Sequence, residues 1–120
     1  MKKSLRELAE ERVNAVEPRD TLVAARKLIE KPENWCKFTQ AEDKEENRVD
    51  PNDPNACRFD PYGAIAKAGV CKTKPVRAWA IVYLVEALPE KDYPGLEAYN
   101  DSHSHADVMA LFDKAIEEAS

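Results

Sequence analysis

Two histidines and three cysteines carry most of the chemistry this sequence could do. His103-Ser104-His105-Ala106-Asp107 has the H-x-H-x-D spacing with which a loop brings imidazoles and a carboxylate onto zinc. The context such a loop needs is missing. Position 108 is Val108 where a further histidine would continue the pattern, and no third histidine exists. A second reading accounts for Ser104 and Asp107 without metal. Serine followed three residues on by an acid is a helix capping box, in which each side chain bonds the other residue's backbone amide. Cys36, Cys57 and Cys71 with His103 and His105 would make a looser ligand set. The cysteines are separated by 20 and 13 intervening residues, so they form no local half-site. No metal and no cofactor is expected, and the thiols are expected to be small buried hydrophobes.

The catalytic alternative is a thiol–imidazole pair, Cys36 or Cys57 with His105, the ring held by Asn100 or Asp101. Such a constellation is spatial, and residue types alone do not assemble it. Asn100 and Asp101 also suit a turn, bonding nearby backbone. Lys72, Thr73, Lys74 and Arg77 gather cations where a helix begins, the wrong sign for its dipole, and are a candidate anion site. The aromatic residues Trp35, Trp79, Tyr62, Tyr83 and Tyr99 read as core and core-edge packing rather than as a stacking platform.

The elements that must position these groups follow from periodicity. Residues 4–16 place Leu5, Leu8, Val13 and Val16 on a thin helical stripe that Pro18 ends. Asp20 can cap a helix over 21–30 with Leu22, Ala25, Leu28 and Ile29 on one face, stopped by Pro32, with Trp35 following as a core plug. Residues 37–59 hold Pro51, Pro54 and a charge run, and are too long for a casual connection. Residues 35–41 could pair across a turn at 43–47 with Arg48-Val49 as a small β-hairpin. Asp53-Pro54 could start one helical turn. Asp60-Pro61 starts a short helix over 62–67, ended by Gly69 in the left-handed conformation. Its small residues Gly63, Ala64, Ala66 and Ala68 would admit a close backbone. Residues 73–87 are apolar on most sides and are expected to be the central core helix. A polar elbow over 100–104 then feeds the last helix, whose stripe is Val108, Leu111, Phe112, Ala115, Ile116 and Ala119.

Composition narrows the function classes. The 120 residues carry a net charge of −5, so nothing favours a nucleic-acid partner. The longest apolar run, residues 78–85, is far short of the roughly 20 residues that span a bilayer. An odd number of cysteines and no leader-like apolar stretch fit reduced thiols in a cytoplasm. The expected fold is all-α: a helical arm over 1–19 and one domain over 20–120, built of four to five short helices around a central apolar helix, with one long structured loop.

The order of segments adds a resemblance. Trp35-Cys36, Asp50-Pro51 with Pro54, Gly63-Ala64-Ile65-Ala66-Lys67-Ala68 and Tyr99-Asn100-Asp101 appear in sequence. They are followed by Ser104-His105-Ala106-Asp107-Val108 and by residues 111–116. This resembles a family of small bacterial and phage helical proteins classed only as a domain of unknown function. Two departures stand out: Lys37-Phe38 replaces small residues after the tryptophan, and Asp60 stands where the family often has a second cysteine. The resemblance implies an all-α fold and no known activity.

Together these readings point to a non-enzymatic helical accessory module. It would bind a protein or a small ligand through Trp35, Cys36, Tyr99, Asn100, Asp101 and His105. A homodimer is compatible with the apolar faces. The alternative is a small Cys/His-dependent enzyme or zinc protein.

Overall fold

The computed structural model describes residues 16–89 and 95–120. Its first helix, α1 (Val16–Leu28), runs through Pro18 instead of starting after it. Proline lacks an amide hydrogen, but the first turn of a helix has no acceptor for that amide, so Pro18 is tolerated there. Asp20 is therefore inside the helix and not its cap. Thr21 donates its hydroxyl to the Glu17 carbonyl at 2.9 Å. Of the arm expected over 1–19, residues 16–19 belong to this first turn and the rest lies outside the described residues.

A 3₁₀ turn (Pro32–Asn34) leads into the long loop. The loop is ordered by two short strands, β1 (Ala41–Glu42) and β2 (Arg58–Phe59), paired antiparallel as Ala41 with Phe59 and Glu42 with Arg58. The hairpin expected at 43–47 is present beside them. Glu42 bridges Arg48, and Val49 donates to the Ala41 carbonyl at 3.1 Å. Asp43 fastens that turn by accepting from the Glu45 and Asn47 amides, which hold its carboxyl below the usual range. The helical turn expected after Asp53 does not form. Pro54 instead sits in a tight turn closed by the Ala56 amide on the Asp53 carbonyl, with the Asp53 side chain taking the Asn55 amide.

Helix α2 (Pro61–Ala68) starts at Asp60, whose carboxylate accepts from the Gly63 amide at 2.7 Å. Gly69 ends it at φ −97°, so the left-handed stop is not used. Glycine is needed there for space: a Cβ would lie 2.7 Å from Cγ of Arg77. Gly63 admits a backbone, as its smallness suggests; a Cβ there would lie 1.8 Å from the Gln40 carbonyl oxygen.

Helix α3 (Lys74–Glu86) buries Val76, Ala80 and Leu84. Its other apolar residues are only partly covered, and Val85 remains 43% exposed. The core is instead shared around α1, which packs against α2, α3 and the last helix. The reason is spacing: Leu22, Ala25 and Ile29 present one uninterrupted face and are all fully buried. Helix α4 (Leu96–Ser102) follows Gly95, whose φ of +136° few other residues adopt. Helix α5 (His105–Glu118) carries the capping box in full, with Ser104 Oγ on the Asp107 amide at 3.1 Å and Asp107 on the Ser104 amide. Its Val108, Leu111, Phe112 and Ala115 are buried. Phe112 is fully enclosed, a burial worth roughly 2–3 kcal/mol. Among the described residues five α-helices and one two-stranded sheet make a mostly helical domain. No helix among the described residues is long and apolar enough to cross a membrane.

Candidate functional site

The expected elbow at 100–104 is shorter than its composition suggests. Asn100 and Asp101 lie in the last turns of α4, and only His103 and Ser104 form the bend. Leu96, Tyr99 and Asn100 recur at helical spacing and all point inward. That spacing was the available signal for α4; the turn-forming Asn-Asp-Ser composition masked it.

Trp35, Cys36, Asp101 and His105 gather around Asn100, while Tyr99, the sixth candidate, faces His103 instead. The Asn100 side chain is fully buried. Its Oδ1 accepts from Trp35 Nε1 at 2.6 Å, and its Nδ2 donates to the Cys36 carbonyl at 3.0 Å. An indole N–H only donates and a carbonyl only accepts, so this amide has one permitted orientation. Next along the helix, Asp101 accepts from the Phe38 amide at 2.8 Å. The His105 ring meets Trp35 edge-on, centroids 5.6 Å apart, and its Nε2 lies 2.7 Å from the Ile29 carbonyl, which requires the hydrogen on Nε2. Tyr99 is buried and stacks on His103 at 3.8 Å. Lys37 places its ammonium 5.3 Å above the Trp35 ring. The cluster is a clamp that ties residues 35–38 to α4.

Its chemistry is not that of a thiol nucleophile. Cys36 donates to the Thr39 carbonyl, and its pKa is pushed up to about 12, first by burial and then by Glu42 and Asp60. A thiol so held stays protonated and unreactive near neutral pH. His105 is bonded to Ile29, not to sulfur. The expectation of three buried thiols holds for Cys36 alone; Cys57 is half-buried and Cys71 exposed. The two histidines of the H-x-H-x-D string part company, His103 to Tyr99 and His105 to Trp35, and Asp107 is occupied by the cap. Among the described residues no three His, Cys, Asp or Glu side chains converge as metal ligands would.

The candidate anion site is not drawn together either. Arg77 turns back onto the Gly69 and Lys72 carbonyls, and Lys72 lies 3.7 Å from Glu17. Thr73 stands at the start of α3 without capping it through its side chain.

Two residues that matter here were not candidates. Phe38 is 66% exposed and has a φ of +69°. It helps to line a cleft of about 450 Å³ that also reaches Trp35, Cys36 and Arg58. A bulky residue in this left-handed region costs of order 1–3 kcal/mol, and such strain persists only where neighbours hold it. Nothing in the string Lys37-Phe38 announces that conformation. Asp60, read as a helix start, is fully buried, and its Oδ2 has no hydrogen-bond partner. Its carboxyl is pushed up to about 7, chiefly by burial, with Glu97 and Asp101 adding to it. No curated protein and no solved structure matches the chain. Residues 13–118 match the model of DUF6197, a family of unknown function, and the chain belongs to that family.

Proposed function

We infer that this chain is a binding module rather than a catalyst, and that it presents Phe38 to an apolar recess on another protein. The observation that carries this reading is the state of Phe38 itself. A large apolar side chain is exposed, in a left-handed conformation, with its amide fixed by Asp101. Neither the exposure nor the left-handed conformation stabilises the fold, and the hydrogen bond to Asp101 fixes the residue in place, so that together they favour a rigid aromatic contact. Aromatic anchors on a pre-ordered backbone contribute the most to protein interfaces, because little freedom is lost on binding. The Asn100 clamp supplies that order from beneath, through Trp35 and Cys36. Lys37, next to Phe38 in the chain and with its ammonium over the Trp35 ring, gives the surface a cationic border, which suits an acidic border on the partner. A protein partner suits this geometry better than a small ligand, since most of the Phe38 side chain is open to solvent and is not enclosed by the cleft it helps to line.

The test is a comparison of variants in the native host. Phe38→Ala should abolish recovery of a specific partner, which purified material should then bind directly. Val23→Ala, at an exposed apolar position on α1, should recover it as the unaltered protein does. Equal recovery by Phe38→Ala would sink the reading.

A further inference from the structure

Asp60 lies directly beneath the segment that carries Phe38. Its amide donates to the Gln40 carbonyl at 3.2 Å, and that same carbonyl rests against Gly63 with no room for a methyl group between. Gln40 is two residues from Phe38. The start of α2 is thus the seat of the display segment, and Asp60 is the charged group in that seat.

The carboxyl is half satisfied. Oδ1 takes the Gly63 amide, and the Tyr62 amide at the start of α2 also favours the ionised form, while Oδ2 is buried without a hydrogen-bond partner. An ionised oxygen in that position loses its hydration and gains no hydrogen bond in return. Its surroundings add to the strain. From α4, Glu97 and Asp101 bring like charge, opposed by the Gly63 and Tyr62 amides of α2; the Tyr62 phenol and the Cys36 thiol beside it are neutral. Arg58, on β2, is engaged elsewhere, with Nε on the Glu33 carbonyl and Nη1 near Glu42. Asp101 links the two ends of the arrangement, since its field acts on Asp60 while its oxygen holds the Phe38 amide.

We propose that Asp60 is a proton-operated lock on the display of Phe38: protonated, it lets α4 and the 36–41 segment close on the start of α2, and ionised, it loosens that closure. The lock concerns the same surface as the binding reading above, and its biological meaning rests on that reading. Its physical existence does not. Burial raises the Asp60 carboxyl to about 7, so both forms are populated around neutral pH. A partner would then meet a firmer Phe38 in slightly acidic surroundings than in alkaline ones.

The experiment uses the free, full-length protein. The side-chain carboxyl carbon of Asp60 is followed by NMR from acid to alkaline pH, together with hydrogen-exchange protection at the Phe38 amide. The lock predicts an Asp60 midpoint near the value of about 7 given by its burial. It also predicts that Phe38 protection, corrected for intrinsic exchange, falls about tenfold between about pH 5.5 and about pH 8.5. Asp60→Asn should show no such fall. Three results would overturn it: a midpoint in the ordinary carboxylate range, constant Phe38 protection in the unaltered protein, or the same fall in Asp60→Asn. If Asp60→Asn does not fold, the first two measurements still decide. No partner is present, so a failure here leaves the binding reading untested by it, and a partner indifferent to Phe38 leaves the titration standing.

Discussion

Trp35 and Asn100, 65 residues apart in the chain, are joined by a 2.6 Å hydrogen bond from the indole to the amide oxygen. The same amide donates to the Cys36 backbone, so one buried side chain fixes two consecutive residues of the loop. Asn100→Ala would leave the indole N–H and the Cys36 carbonyl without partners. Orphaned buried groups cost about 1–3 kcal/mol each, so the substitution should destabilise by roughly 2–4 kcal/mol in urea unfolding. Trp35→Phe should cost less on its own. The double variant should fall short of the sum by about 1 kcal/mol, since the two residues share an interaction.

Phe38 should behave in the opposite way. Phe38→Gly removes the cost of a left-handed bulky residue and adds chain entropy to the unfolded state, and the first effect is the larger. We expect it to leave stability unchanged or raise it by up to about 1 kcal/mol, with Phe38→Ala within about 0.5 kcal/mol of the unaltered protein. A loss above about 2 kcal/mol in either variant would mean that the ring has a structural role.

Much of this arrangement could be read from the sequence, and the exceptions have physical causes. The last helix was plain because Val108, Leu111, Phe112 and Ala115 repeat at helical spacing and Ser104 with Asp107 announce its start. The start of α1 was misplaced because Pro18 reads as a stop, although the first helical turn has no use for its missing amide hydrogen. The helix holding Asn100 was hidden by its own turn-forming residues. Trp35, Cys36, Asp101 and His105 meet around Asn100 because the polar residues of α4 face the 35–38 segment, whereas Tyr99 turns to His103. What no spacing encodes is the outcome of that meeting: a saturated clamp with an exposed Phe38 beside it, and a buried Asp60 with one unpaired oxygen.

The cap at the last helix offers a simpler check. Ser104→Ala removes the acceptor for the Asp107 amide and should cost about 1 kcal/mol. Ser104→Asp keeps an acceptor at the cap and should restore most of that loss, measured in the same unfolding assay.

Asp60 gives stability an unusual pH dependence. Its carboxyl stands at about 7 in the folded protein against 3.8 as the ordinary value, so the folded state binds the proton more tightly than the unfolded one. Its stabilising contribution is fully present below the unfolded value and is lost as pH rises through the folded one. Between those limits it should lower stability by up to about 1.4 kcal/mol per pH unit. The contribution is isolated as the difference between the unaltered protein and Asp60→Asn, measured by urea unfolding across that range. A flat difference, or one that grows in the other direction, would show that Asp60 is ionised in the fold.

If Phe38 is the contact a partner meets, the ring itself must lie against that partner. That contact is tested most directly by a photoreactive phenylalanine analogue at position 38, activated in the native host. One dominant adduct is expected, competed away by excess unaltered protein and not by excess Phe38→Ala. No adduct beyond that of the same analogue at position 23, or equal competition by both proteins, would contradict it.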